Sequence, residues 1–263
     1  MFKLRPRFAK DYLLHRFNAK NRHGVHSPFV YRLIDEVIYD FSEKKPYNLP
    51  ETLRKTLLFD MRVISVTDLG AGSMVNNKQN KQVSAIAANA LKPAKLAQLL
   101  YRLVADLKPR TIIELGTSLG ITSVYLQNAA PEAKVFTLEG CPETSKIAAE
   151  TFEKAGMKNI KLLTGNFDCT LPDVIDDLEQ VDFVFIDGNH QKQATLNYFE
   201  WCLTKVHENT LLIFDDIYWS DGMKEAWQQI KAHPDVTVTI DLFWIGLVYF
   251  RKGQAKEDFL IRL

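Results

Sequence analysis

Asp187, His190 and the pair Asp215-Asp216 are the residues of this sequence best suited by type and spacing to do chemistry. Asp187 ends the apolar run VDFVFID, and the pair ends LLIFDD. Short runs of this kind read as buried strands. If the two strands run parallel, their carboxyl ends open on one rim of a sheet, where ligands bind. Three carboxylates gathered there raise one another's pKa unless a cation or hydrogen-bond donors intervene. A hard divalent ion such as Mg2+, held by Asp187, Asp215 and Asp216, answers that problem. The alternative is that Asp216 caps the next helix or pairs with a base, and no metal binds. His190 follows Asp187 by three positions. An imidazole can take a proton from a hydroxyl near neutral pH, or it can simply cap the helix that begins near Gln191.

Two glycine turns compete for a nucleotide-like ligand: DLGAGS, Asp68 to Ser73, and ELGTSLG, Glu114 to Gly120. A working turn follows a strand and opens a helix whose N–H groups face the ligand. An acid about twenty residues on then meets the ribose hydroxyls. The second turn meets each condition: Thr111–Leu115 reads as a strand, Ile121, Val124 and Tyr125 start a helix, and VFTLE delivers Glu139. The first is followed by MVNNKQNKQ, a poor helix start, and no acid lies in ANALKPAKL. DLGAGS therefore reads as a structural turn or as a lid beside the pocket.

The elements that must carry these residues begin at Lys108. Strands are expected at about 110–115, 134–138, 160–163, 181–186 and 210–214, with helices between them, for example Pro142 to Ala155 and Gln191 to Thr204. Such alternation means a parallel sheet covered on both faces. Val236–Ile240 and Phe243–Phe250 lie too close in sequence for a crossover helix and must pair antiparallel. The expected fold is a doubly wound, mostly parallel seven-stranded α/β sheet with an antiparallel C-terminal strand and an N-terminal helical extension. Ser27-Pro28 marks a helix start, residues 51–59 suit a short helix, residues 61–68 suit a strand, and NNKQNKQ, residues 76–82, suits a loop. Pro93 opens a helix with Leu96, Leu99, Leu100, Leu103 and Leu107 on one face. These features divide the chain into an extension, residues 1–92, and a ligand-binding domain, residues 93–263.

Composition narrows the function classes. The 263 residues are 46% hydrophobic and 25% charged, ordinary for a globular protein. A net charge of +1 gives no whole-molecule attraction for nucleic acid. Cys141, Cys169 and Cys202 form no C-x-x-C pair, which excludes a sequence-local zinc clip and suits a reducing compartment. No run approaches a membrane span, and no apolar segment follows the basic start, so a cytoplasmic location is expected. The basic N-terminal stretch reads as a solvated helix face or as a surface for a phosphate-rich or membrane partner.

In order along residues 93–250, the chain resembles the class I S-adenosylmethionine-dependent methyltransferases. IIELGTSLGITS looks like their first motif, FTLEGCP like the second and LLTGNFDCTLP like the segment bordering adenine. The resemblance implies a cofactor site at Glu114, Gly116, Ser118, Gly120, Thr122, Glu139, Phe167, Asp168 and Asp187. Within that class, VDFVFIDGNH and LLIFDD are most similar to the metal-bearing strand ends of the catechol and caffeoyl-coenzyme A type of O-methyltransferases. That family carries Asp-Asn where this chain has Asp215-Asp216, and a catalytic lysine where it has His190.

The expected function is S-adenosylmethionine-dependent methylation of a small-molecule hydroxyl, with His190 and Asp187 catalytic and metal assistance open. A nicotinamide-dependent oxidoreductase shares the glycine turn and the acid, but ELGTSLG is not G-x-G-x-x-G and no substrate domain follows. A non-catalytic cofactor-binding scaffold is the other alternative. The (N/D)-P-P-(Y/F) turn of base-methylating enzymes is absent, which disfavours nucleic acid. A homodimer is compatible with this reading. The segment RHGVHSPFVYRL, with His23 and His26, is expected to shape an acceptor pocket or a subunit contact, and Tyr218 and Trp219 either line the acceptor site or pack a helix.

Overall fold

A computed structural model describes residues 6–67 and 78–263. The DLGAGS turn lies outside the described residues. The helices are α1 Pro6–Asn18, α2 Pro28–Leu33, α3 Asn48–Leu58, α4 Val83–Ala90, α5 Ala94–Leu107, α6 Ile121–Ala129, α7 Pro142–Ala155, α8 Phe167–Asp176, α9 Lys192–Leu203 and α10 Asp221–Ala232. The strands are β1 Val63–Thr67, β2 Lys78–Gln82, β3 Thr111–Leu115, β4 Lys134–Glu139, β5 Ile160–Thr164, β6 Phe183–Ile186, β7 Leu211–Asp215, β8 Val238–Asp241, β9 Ile245–Tyr249 and β10 Glu257–Leu260.

One sheet carries eight strands in the order β10-β8-β9-β7-β6-β3-β4-β5. β3 to β7 run parallel, and β9 inserts antiparallel between β7 and β8. The expected count of seven is corrected by β10, an edge strand parallel to β8. Its sequence, EDFL, buries only Phe259 deeply, so it carries no alternating apolar signal. The expected loop at residues 76–82 is also corrected where the structure describes it: Lys78–Gln82 pairs with β1 as a two-stranded hairpin. KQNKQ has no apolar face, and only its partner strand makes it a strand.

Both faces of the central strands are covered. Phe183 and Phe185 join the core beneath α2 and α5, while Val184 and Ile186 join the core beneath α8, α9 and α10. Strands buried on two sides read as continuous apolar runs, as FVFI does. α2 shares the first of these cores. Ser27 Oγ accepts the Val30 N–H at 3.4 Å and starts α2, whose Val30 and Leu33 are buried. The buried Arg102 guanidinium donates to the carbonyls of Val37 and Ile38 at 2.7 and 3.3 Å, satisfying the end of the wide turn that continues α2. Among the described residues, no helix is long and apolar enough to cross a membrane.

Chain order reverses at β3, which has β4 on one side and β6 on the other. A crevice opens at the carboxyl ends of the strands at such a switch point. The turn after β3 and the acid after β6 meet there: the Asp187 N–H donates to the Leu115 carbonyl at 2.9 Å.

Candidate active site

The glycine turn is built by close approach. Gly116 has φ +99°, and a Cβ there would stand 2.2 Å from the Asp187 carbonyl oxygen. Only glycine lets β3 and β6 release their chains so closely. Gly120, at φ +85°, serves packing instead, since a Cβ would meet the Phe152 ring at 2.7 Å. Ser118 also takes a left-handed conformation, at φ +50°, and turns its N–H to Glu139, whose Oε2 accepts it at 2.8 Å. Glu139 Oε1 accepts the Cys141 N–H at 2.9 Å. Glu139 lines the cleft with a carboxylate, a group type that accepts hydrogen bonds from sugar hydroxyls.

Gly116, Ser118, Glu139, Phe167, Asp187, His190, Asp215 and Asp216 line one large cleft. Glu114, Gly120, Thr122 and Asp168 are not among its lining residues. Glu114 lies under the turn, fully buried, where its Oε2 accepts from Ser123 Oγ and, at 2.6 Å, from Thr137 Oγ1. Burial pushes its pKa up to about 7 against those two hydroxyl donors. Asp168 is exposed on the first turn of α8.

At the far side of the cleft, the acids converge. Asp187, His190 and Asp215 each place a ligand-type atom within 4.8 Å of the others. His190 Nε2 lies 3.8 Å from Asp187 Oδ1 and 3.9 Å from Asp216 Oδ2. Asn189 and Asp216 sit in left-handed backbone, at φ +61° and +54°. Asn and Asp tolerate that region better than other non-glycine residues, and strain of this kind gathers at functional sites.

Lys92 enters this cluster from the three-residue link between α4 and α5. Its Nζ stands 2.9 Å from Asp187 Oδ1 and donates to Asp215 Oδ2. Burial raises the pKa of Asp187 and of Asp215, and Lys92 opposes that rise in both. Burial likewise works against the Lys92 ammonium, but Asp187 and Asp215 together outweigh it and hold the group charged far above neutral pH. Asp216 is raised by burial and then by Asp215. Lys92 is a site residue that the sequence motifs do not mark. The one local signal was a lysine directly before the proline that opens α5.

Aromatic side chains close the outer part of the cleft: Phe8, Phe41, Trp219 and Trp244. Tyr218 is not with them. Its ring stacks on Phe243 at 4.7 Å, and its hydroxyl donates to Asp241 at 2.9 Å, which makes it a packing residue. RHGVHSPFVYRL lies away from this cleft, with Phe29 edge-on to Tyr249 at 5.1 Å and His23 and His26 exposed.

Residues 113–217 match a family model described as a methyltransferase domain. Among sequence relatives, the catechol O-methyltransferase of Niastella koreensis is 29% identical over 126 residues, 47% of this chain and 55% of the relative. That of Mycobacterium tuberculosis is 25% identical over 160 residues, 56% of this chain and 71% of the relative. The match thus spans little more than half the length of the Niastella protein. In fold, the chain is similar to an O-methyltransferase from Bacillus cereus solved with SAH, at TM-score 0.56 and 20% identity, covering 80% of this chain and 93% of that one. An O-methyltransferase fold from Klebsiella pneumoniae gives TM-score 0.58 at 17% identity, covering 81% and 92%. The mostly parallel sheet flanked by helices is the fold shared with these structures.

Proposed function

We propose that the protein transfers the methyl group of S-adenosylmethionine to a hydroxyl oxygen of a small aromatic acceptor. The observation that carries this reading is the convergence, in one cleft, of the Gly116–Ser118 turn and Glu139 with His190 and the strand-end acids. Features that support a donor site are the glycine-permitted backbone approach at Gly116, the Glu139 carboxylate as acceptor type for ribose hydroxyls, and the Phe167 ring for a base. The bound donor supplies an electrophilic methyl carbon on a positively charged sulfur.

The chain's own groups then bind, orient and move one proton. His190 Nε2 takes the proton of the acceptor hydroxyl as its oxygen attacks, and Asp187 and Asp216 offer charge partners to the imidazolium. Trp219 and Trp244, both about two-fifths exposed, offer flat surfaces at the mouth for the acceptor ring. Positioning of this kind can supply roughly 7–11 kcal/mol toward the barrier. Mg2+ is not part of this reading. The ammonium of Lys92 takes the space between Asp187 and Asp215, so the acids as arranged do not fit a divalent ion and no step passes through one.

Titration calorimetry with S-adenosylhomocysteine, followed by transfer of a radiolabelled methyl group to catechol and related phenols, tests the proposal. Micromolar or tighter affinity and labelled methyl ether are expected. Absence of heat on folded protein would remove it.

A further inference from the structure

We propose that the Lys92 ammonium is the resident cation of this active site, so that the protein does its chemistry without a divalent metal. The inference rests on the methyltransferase reading for its role in catalysis, but its placement is independent of that reading. Asp187, His190 and Asp215 gather ligand-type atoms as a divalent-metal site does. Yet Nζ of Lys92 is within hydrogen-bond distance of Asp187 Oδ1, at 2.9 Å, and donates to Asp215 Oδ2 as well. An ion bridging the same two oxygens would have to share their space with a fixed positive charge.

The lysine is also held in place. Leu91 and Pro93 flank it in extended backbone, and the residue before a proline is restricted to that region. On one side α4 buries Val83, Ile86 and Ala87; on the other α5 buries Leu96, Leu99, Leu100 and Leu103. The head group is therefore delivered by two anchored helices rather than by a free surface chain. Two of its three N–H donors serve Asp187 and Asp215. The third is left for the oxygen of the acceptor, which a fixed cation steadies as negative charge develops on it.

The test reads metal binding on the 263-residue chain by electron paramagnetic resonance of Mn2+, with S-adenosylhomocysteine present and absent. The wild type is expected to leave the Mn2+ spectrum that of the free ion. Lys92→Met, similar in length and without charge, is expected to gain one Mn2+ site at least tenfold tighter than any wild-type binding, and a further Asp215→Asn change should remove it. Stoichiometric Mn2+ on the wild type overturns the proposal. So does a folded Lys92→Met variant whose Mn2+ affinity does not exceed that of the wild type. If that variant fails to fold, the wild-type spectrum decides alone. Failure of the methyltransferase reading shows separately, as loss of S-adenosylhomocysteine heat, which Mn2+ binding does not measure.

Discussion

His15 Nε2 lies 3.0 Å from Asp241 Oδ1, joining α1 to the end of β8 across 226 residues of chain. Both side chains are almost wholly buried. The same carboxylate accepts the Phe243 N–H at 2.9 Å, the Trp227 indole N–H at 3.0 Å and the Tyr218 hydroxyl at 2.9 Å. Four donors therefore satisfy one acid beneath the aromatic wall made by Phe8, Tyr12 and Phe243. Asp241→Ala is expected to lower stability by about 3–5 kcal/mol, since it strands buried donors. His15→Ala is expected to cost about 1–3 kcal/mol and to free α1. Urea denaturation and limited proteolysis of the N-terminus measure both, and unchanged midpoints would dismiss the linkage.

His190 is predicted to act in proton transfer and not in donor binding. His190→Ala should lower kcat by about 10²–10⁴-fold, the usual range for a general base. Affinity for S-adenosylhomocysteine should stay within about twofold. An affinity loss as large as the kcat loss would move His190 from catalysis to cofactor binding.

Glu139 should show the opposite pattern. Glu139→Ala removes a charged hydrogen-bond acceptor, worth about 1.5–3 kcal/mol, so S-adenosylhomocysteine should bind roughly 10- to 100-fold more weakly by calorimetry. A small stability loss should accompany it, because Ser118 and Cys141 lose their acceptor. Unchanged affinity would place the ribose elsewhere.

Glu114 predicts a pH dependence. Burial raises its pKa in the folded protein to about 7 from 4.5. Between those values the folded state holds more protons than the unfolded state, so stability falls as pH rises through that window and levels off above it. The full cost of the ionised group is on the order of 3 kcal/mol. Glu114→Gln should remove this component: relative to wild type, the variant should gain stability from pH 4.5 to 7. Denaturant unfolding of both proteins at pH 5 and pH 8 checks the sign, and a parallel pair of curves would refute the assignment.

Much of this architecture is legible in local sequence. VDFVFID and LLIFDD show their burial as unbroken apolar runs, and Pro142 to Ala155 shows its helix by its own period and its terminal Gly156. The Ser27-Pro28 start is visible because capping is a matter of neighbouring residues. β10 and β2 were not legible, since EDFL and KQNKQ take their conformation from the strands beside them. Glu114 and Glu139 look alike in sequence, an acid at or near a strand end. Only the packing of α6 against β3 and β4 buries the first under Ser123 and Thr137 and leaves the second on the cleft.

What the sequence determined by itself was the order of the central parallel strands, the glycine turn and the carboxylates at the strand ends, because period, propensity and turn chemistry act over a few residues. The tertiary structure alone decided what faces those carboxylates. Lys92 is 123 residues from Asp215 in the chain, and no local pattern announces such a meeting. It arises because α4 and α5 must bury their apolar faces, and the link between them then has one place to put its charge.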